Sequence, residues 1–376
     1  MHRKRKVLID IYYLYVAQTG IRTYTESLVE EIGKNNSTDF EYIVSPDYRK
    51  IKSSTFFKGK TPKWKNLLFQ LLYFWRKAVT LPLLTLRHKS DIVFSPDILS
   101  PLWAKGWKVS VIHDAFFWEN PSHYNSLWLK YYLGLLKLSL KRKGQVVTIT
   151  HYSKQQIKKY LRIPYLPIHV VYPASNIVAK ERSADQPIIS FPYFLHVGVM
   201  EKRKNLVTLV HAFKLFLKNT GIEDFKLVLV GQQGPREDLD DYDNILEAIE
   251  NLGLKDKVIL PGFVSKGELE NYYVHAKAYI FPSLSEGFGM PVLEAFSYKI
   301  PVIISNQGAL REVGGDAVLC ARDSSAEAFA DEMIHITQDQ HLREDLVKRG
   351  NKRLADFGGQ RFLKSLEECF ANFPKE

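Results

Sequence analysis

The sequence predicts two successive α/β units, each wound around a parallel sheet, and three observations carry that expectation. Short apolar runs of strand composition alternate with helix-like segments along the whole chain. At 376 residues the chain exceeds a single hydrophobic core, which stops growing near ~250–300 residues. The alternation is also punctuated near VVYPASN, 170–176, where Pro173 and small polar residues break the pattern.

Taken in order, the first unit's strands are VLIDIYY, FEYIVS, DIVFSP, KVSVIHD and QVVTITH. The second unit's strands are YFLHVGV, FKLVLVG, KVILPGF, AYIFPS and PVIISN. Helices are expected over 23–34, 205–219, 243–253, 266–276 and 326–338. The units then span 1–172 and 173–356. In open α/β sheets ligands bind outside the carboxyl ends of the strands, so the cleft between two such units is the default site.

Composition narrows the class. The basic, then apolar, N-terminus imitates a signal peptide, but Asp10 interrupts the apolar run and no small-residue cleavage site follows. VLIDIYYL therefore reads as a first buried strand. Two cysteines, Cys320 and Cys369, are too few for a disulfide framework or a structural zinc site, which fits a reducing cytoplasm. No apolar run is expected to reach the ~18 uncharged residues of a membrane span. Charge is uneven: residues 1–172 carry +17 and the remainder −6. Such asymmetry points to an anionic partner for the first unit, a membrane surface or nucleic acid, or serves solubility alone.

One segment, 56–89, combines both properties. Trp64, Leu67, Leu68, Leu71, Leu72 and Trp75 follow helical spacing, with Lys58, Lys60, Lys63, Lys65, Arg76 and Lys77 flanking them. A helix of this kind can lie in a lipid headgroup layer, or it is an ordinary core helix with basic ends. The membrane reading assigns contact to Lys63, Trp64, Lys65, Trp75, Arg76 and Lys77.

The chemistry concentrates in SEGFGMPVLEA, 285–295. AYIFPS is a strand, so 285–289 form the loop after its carboxyl end. Pro291 suits the first turn of a helix, where its missing N–H has no partner to lose. The helix thus starts near Met290–Pro291. Gly287 and Gly289, around Phe288, let backbone approach a ligand closely. The helix N-terminus offers free N–H groups and a partial positive charge that suit a phosphate. Glu294, about one turn inside, can present two oxygens to a vicinal diol such as a ribose. Glu286 faces whatever lies beyond the phosphates. A Gly-rich strand-to-helix turn with two acids is also compatible with plain packing.

FLHVGVMEKRKNLVTLVHAF (194–213), with 258–306 around SEGFGMPVLEA, resembles glycosyltransferase family 4: retaining enzymes of the GT-B fold that use nucleotide-diphosphate sugars. The likeness is close over about 190–320 and looser before it. It implies two Rossmann-like domains facing each other across a cleft, the first for the acceptor and the second for the donor. It also permits 357–376 to cross back to the first domain. Glu286 and Glu294 match the family's paired glutamates. Arg203 and Lys204 match the cations on the donor diphosphate, where negative charge grows in the transition state. Gly198 ends the strand before them; Val199 stands where many relatives carry Arg, which leaves more of the phosphate work to Arg203 and Lys204. Phe263–Val264 match the segment that takes the nucleotide base, largely by backbone contacts. In the first half, TGIRTYTESL resembles the family's glycine-rich first loop, with Gly20 kept and Arg22 in place of a second glycine. His113 and Asp114 match a strand-terminal His-Asp, facing the sugar and acceptor.

The resemblance thus implies hexosyl transfer, of mannose or glucose type, from a GDP- or UDP-sugar to a glycan or lipid-linked acceptor in bacterial surface polysaccharide or lipopolysaccharide synthesis. GDP-mannose, UDP-glucose, UDP-N-acetylglucosamine and dTDP-rhamnose all fit its frame. The diphosphate itself helps to take the acceptor proton. No cofactor and no metal are expected: Asp238 and Asp240 in DLDD imitate a metal-binding pair but belong to a charged loop. The expected location is cytoplasmic, peripheral on the inner face of the plasma membrane, with no nucleic acid bound. The rivals are a nucleic-acid-binding basic protein, suggested by pI 9.3 without any nucleic-acid motif, and a non-catalytic nucleotide-sugar binder. A phosphorylase-like use of the fold lacks a pyridoxal-phosphate lysine motif.

Overall fold

The structure is a computed structural model; it describes every residue except 1–2, 18, 35–36, 58–61, 176–185, 235–237 and 375–376. The chain divides into two compact units, one made of Met1–Asn176 with Phe357–Glu376, the other of Ile177–Asp356.

The first unit holds a six-stranded parallel sheet of β1 (Arg5–Asp10), β2 (Phe40–Ser45), β3 (Ile92–Ser95), β4 (Trp107–Val111), β5 (Gly144–Thr148) and β6 (Ile168–Val170). Their order across the sheet is β2-β1-β3-β4-β5-β6. Helices cover both faces, so the central strands are buried throughout; Val7, Leu8, Ile9, Ile92, Val93 and Phe94 are all inaccessible. Winding outward from β1 in both directions puts a topological switch point between β1 and β3. The helix Gly359–Ala371 belongs to this unit. Its Phe362 meets Tyr24 at 5.2 Å and its Phe370 meets Phe40 at 6.0 Å, while Arg5 Nη1 donates to the Phe370 carbonyl.

The second unit holds β7 (Tyr193–Val197), β8 (Lys226–Val230), β9 (Val258–Gly262), β10 (Ala278–Phe281), β11 (Val302–Ile304) and β12 (Leu319–Cys320), also all parallel. The order β12-β11-β10-β7-β8-β9 sets its switch point between β7 and β10. Its core packs Phe194, Phe213, Phe216, Phe225 and Phe329 between sheet and helices.

Several expectations change. The first strand stops at Asp10, and the aromatic run after it forms a 3-10 turn, Tyr12–Tyr15. Strands β6 and β12, of three and two residues, are too short to leave a pattern of their own. Gly20 is not in a loop: it lies exposed in the first turn of the helix Thr19–Lys34, and a Cβ there would meet nothing. Arg22 ties that helix to the preceding turn by donating to the Leu14 and Ala17 carbonyls.

The segment Lys63–His88 is one continuous helix of 26 residues, interrupted by a π turn over Arg76–Thr80, and it is long and apolar enough by length and composition to cross a membrane. Arg76 and Lys77 split it, so the run of ~18 uncharged residues that was not expected is not present in it. The expected outward placement of Arg76 and Lys77 is corrected, because they do not face outward. Arg76 Nε donates to Asp10 Oδ1 at 2.7 Å, and Lys77 Nζ sits 2.9 Å from Asp10 Oδ2 and 3.0 Å from Asp97 Oδ1. A cation this far from water needs hydrogen-bonded partners, a carboxylate above all, and the carboxyl ends of β1 and β3 supply two. Lys58 and Lys60 lie outside the described residues.

Candidate active site

At the second unit's switch point, the chain leaving β7 and the chain leaving β10 converge. The first passes Gly198 into a 3-10 turn, Lys202–Lys204, before the helix Leu206–Thr220. The second passes Ser283 and Glu286 into the helix Met290–Ser297. Backbone bonds lock the two together, with the Leu284 N–H donating to the Arg203 carbonyl at 2.8 Å.

Two glycines are dictated by geometry. Gly289 caps the helix at φ 103°, and a Cβ there would lie 2.5 Å from Leu310 Cδ2. A Cβ on Gly231, at the end of β8, would lie 1.8 Å from the Gly198 carbonyl oxygen. The loops at this sheet edge therefore pack backbone against backbone.

Glu286 collects the cations. Its Oε1 accepts from Lys204 Nζ at 2.6 Å, Ser283 Oγ at 2.7 Å and Arg203 Nη1 at 2.9 Å. Arg203 Nε donates in turn to Glu201 Oε2 at 2.8 Å, and Lys204 Nζ stands 4.7 Å above the Phe281 ring. Burial acts to raise the Glu286 pKa, but the Lys204 and Arg203 charges outweigh it and hold it below the usual carboxylate value. Burial pushes the Lys204 pKa down against the pull of Glu286. The Arg203 side chain remains 36% exposed, so the cluster opens to solvent on its side. Glu286, expected to face beyond the phosphates, rests here on the very cations expected to hold them, and Glu201 shares the charge of Arg203.

Behind this cluster, and outside what the motifs indicated, is His196. Its Nδ1–H donates to the Ile280 carbonyl at 2.9 Å, which fixes the tautomer and leaves Nε2 as a buried acceptor with no partner. Burial, reinforced by the Lys204 charge, lowers its pKa to about 4.

Glu294 lies half-buried one turn into the helix, and its Oε2 accepts from the Tyr273 hydroxyl at 3.0 Å. Burial and Glu294 itself hold the Tyr273 pKa well above its ordinary value, so the ring stays a neutral donor that aims the carboxylate. Tyr298 stacks on it at 4.9 Å. Tyr273, Ser283, Glu201 and His196 all lie inside the stretches that carry the resemblance, yet none was singled out from them.

Of the other anticipated donor residues, Gly287, Met290 and Pro291 line the same loop and first turn, half-exposed, while Phe288 is buried beneath it. Phe263 stands 83% exposed just beyond β9, with Val264 half-buried beside it, on the same sheet edge. His113 and Asp114 follow β4 in the first unit. His113 Nε2–H donates to the Pro96 carbonyl at 3.0 Å and its ring meets Tyr24 edge-on at 5.0 Å. Burial lowers its pKa, so it is held neutral near pH 7. Asp114 is exposed and accepts from the Phe116 N–H. DLDD is more than a solvated loop: Asp240 Oδ1 accepts from the Gly234 N–H at 2.7 Å, and the Leu239 carbonyl accepts from Lys202 N–H. Among the described residues, no three His, Cys, Asp or Glu side chains are grouped to hold a metal ion.

The family described as "Glycosyl transferases group 1" matches residues 180–353. The O-antigen chain mannosyltransferase B of Escherichia coli is 27% identical over 257 residues, 66% of this chain and 66% of that protein. The O-antigen chain mannosyltransferase RfbU of Salmonella typhimurium is 26% identical over 307 residues, 80% and 78% of the two chains. The sucrose-phosphate synthase of Thermosynechococcus elongatus shares the fold with a TM-score of 0.71 over 98% of both chains at 17% identity.

Proposed function

We propose that this chain, a glycosyltransferase of the GT-B fold whose residues 180–353 match the glycosyl transferases group 1, moves a hexosyl group, of mannose type, from a nucleotide-diphosphate sugar to a glycan or lipid-linked acceptor with retention at the anomeric carbon. The relatives named for O-antigen mannosyl transfer support surface polysaccharide assembly as its setting. We place it in the cytoplasm, peripheral on the inner face of the plasma membrane.

The observation that carries this reading is the convergence of Arg203, Lys204 and Glu286 beside a glycine loop and a helix N-terminus at the β7/β10 switch point. The diphosphate sits against Arg203, Lys204 and the N–H groups before Val292. As the glycosidic bond breaks, negative charge grows on the leaving diphosphate, and cations already fixed in place stabilise it without reorganisation. Glu286 holds both cations aimed before the donor arrives. Glu294, oriented by Tyr273, accepts from the ribose hydroxyls, and the 263–264 segment takes the base. The acceptor is read by the first unit, with His113 neutral at the end of β4. No resident cofactor is required; the nucleotide sugar is a substrate.

The test is thermal stabilisation of the full chain by GDP-, UDP- and dTDP-sugars, comparing wild type with Glu294→Ala. Ligand at ~100 times its dissociation constant stabilises by ~2.7 kcal/mol. One nucleotide series is expected to raise the melting temperature of the wild type and to lose most of that effect in the variant. Equal shifts in both proteins would remove Glu294 from the ribose, and no shift from any nucleotide would overturn the donor-site assignment.

A further inference from the structure

The cations assigned to the donor diphosphate already hold an anion. One oxygen, Glu286 Oε1, accepts from Lys204 Nζ at 2.6 Å, Ser283 Oγ at 2.7 Å and Arg203 Nη1 at 2.9 Å. A carboxylate oxygen has about two lone pairs, so three donors on one atom are gathered by charge more than by lone-pair direction. With Glu201 on Arg203 Nε, two positive charges face two negative ones, and the four sum to zero. A phosphate approaching Lys204 therefore meets a position that Glu286 fills, because its oxygens seek the same N–H groups at the same distances.

The backbone of Glu286 is pinned, while its side chain is not sealed in. Gly308, at φ 58°, packs so closely that a Cβ on it would lie 3.1 Å from both the Glu286 nitrogen and its carbonyl oxygen. The Glu286 side chain keeps 13% of its surface exposed, and Arg203 beside it is more open still. Rotation about the bonds of that one side chain is enough to vacate the position, without moving the loop.

We propose that Glu286 is the resident anion of this seat, and that the donor's diphosphate takes its place on Arg203 and Lys204. The exchange rests on the donor-site reading above and goes beyond it, since it makes Glu286 a competitor of the donor as well as the holder of its cations. Lys204 is too buried to stand without a counter-charge, so a side chain supplies one until the donor arrives. A diphosphate brings more negative charge and more oxygens than one carboxylate and displaces it, whereas a neutral sugar or nucleoside has nothing to offer the cations. Release also lets Glu286 reach the position beyond the phosphates that its place in the loop predicts. That carboxylate then becomes available only once a diphosphate is seated.

Titration calorimetry of the full chain tests this with GDP, UDP and dTDP, each against its own nucleoside. Glu286→Gln removes the charge and keeps the shape. Ser283→Ala keeps every charge and removes one bond that holds Glu286 in place. For whichever nucleotide the wild type binds, Glu286→Gln is expected to bind the diphosphate at least about fivefold more tightly, with the nucleoside unchanged. Ser283→Ala moves the diphosphate in the same direction by a smaller factor. Unliganded Glu286→Gln melts below the wild type, because Lys204 has lost its counter-charge, and the diphosphate raises its melting temperature by more than it raises that of the wild type. A Glu286 that only braces the loop gives the opposite sign: the cations loosen and the diphosphate binds more weakly. Equal or weaker diphosphate binding by Glu286→Gln, or a gain shared by the nucleoside, would overturn the exchange. Should that variant not fold, Ser283→Ala decides, and unchanged or weaker binding by it has the same consequence. No nucleotide binding by any of the three proteins removes the donor-site reading itself and the exchange with it, so the two failures are distinct.

Discussion

Each unit places two cations against two carboxylates at its sheet's switch point, and the two clusters have opposite fates. In the first unit Arg76 and Lys77 come from the flank of a long helix and plug the gap between β1 and β3, where Asp10 and Asp97 receive them. Tyr73 closes the cluster with a hydrogen bond to Asp97, and every side chain in it is buried. Burial acts to raise the Asp10 pKa, yet Lys77 and Arg76 hold it at about 2; burial raises that of Asp97. In the second unit Arg203 and Lys204 come from a loop and meet Glu286 and Glu201 across glycines that leave the sheet edge thin. The same charges make an internal strut in one unit and a surface poised for an anion in the other. What separates them is whether a helix or a loop delivers the cations, because a helix brings its own bulk to seal the gap.

The contrast is broken most directly by Asp10→Asn. It leaves Arg76 and half of Lys77's charge unbalanced away from water, so the urea unfolding free energy of the protein is expected to fall by about 3–5 kcal/mol. A loss under about 1 kcal/mol would mean that the cluster is wetter than its burial indicates. Arg203→Ala probes the other side. It is expected to cost about 2.7–4 kcal/mol of transition-state stabilisation, roughly 10²–10³ in kcat, with little change in melting temperature. A variant that unfolds instead, with activity preserved in the folded fraction, would make the second cluster a strut as well.

The smallest effect is in pH. His196 is fully buried, its pKa drops from 6.5 to about 4 by burial and the Lys204 charge, and Glu286 pulls weakly the other way. A histidine kept neutral in the fold binds its proton more tightly when unfolded. Its contribution is therefore complete above about pH 6.5 and is lost as pH falls toward about 4. At about pH 5 this amounts to about 2 kcal/mol relative to neutral pH. The urea midpoint of the wild type is expected to drop over that interval more steeply than that of His196→Asn; parallel curves would show that the imidazole is not dry.

The local signals in the chain were strong where neighbours in sequence are sufficient. FEYIVS is β2 to the residue, the helix Ala326–Gln338 begins and ends where its pattern does, and Met290 opens the helix that Pro291 announced. Trp64 and Trp75 do lie outward on their helix. Arg76 and Lys77 read as its basic end, and their burial could not be foreseen, since a cation in an amphipathic pattern looks the same whether water or Asp10 faces it. Likewise SEGFGMPVLEA disclosed a loop and a helix start, and the resemblance it carried named Glu294, but the hydroxyl that orients Glu294 comes from Tyr273, 21 residues earlier on another helix.

The sequence by itself determined two alternating α/β units, the polarity of their charge and a family resemblance that residues 285–295 help to carry. Those properties depend on composition and on spacing of a few residues, which the chain states directly. Only the tertiary structure decided which charges meet. Lys204 and Glu286 are 82 residues apart, and Asp10 and Arg76 are 66 apart. Each pair is joined by the order of strands in a sheet and by what fills the space above it. A buried charge takes whichever partner the topology brings within reach, because remaining unpaired away from water costs more than any local preference can offset.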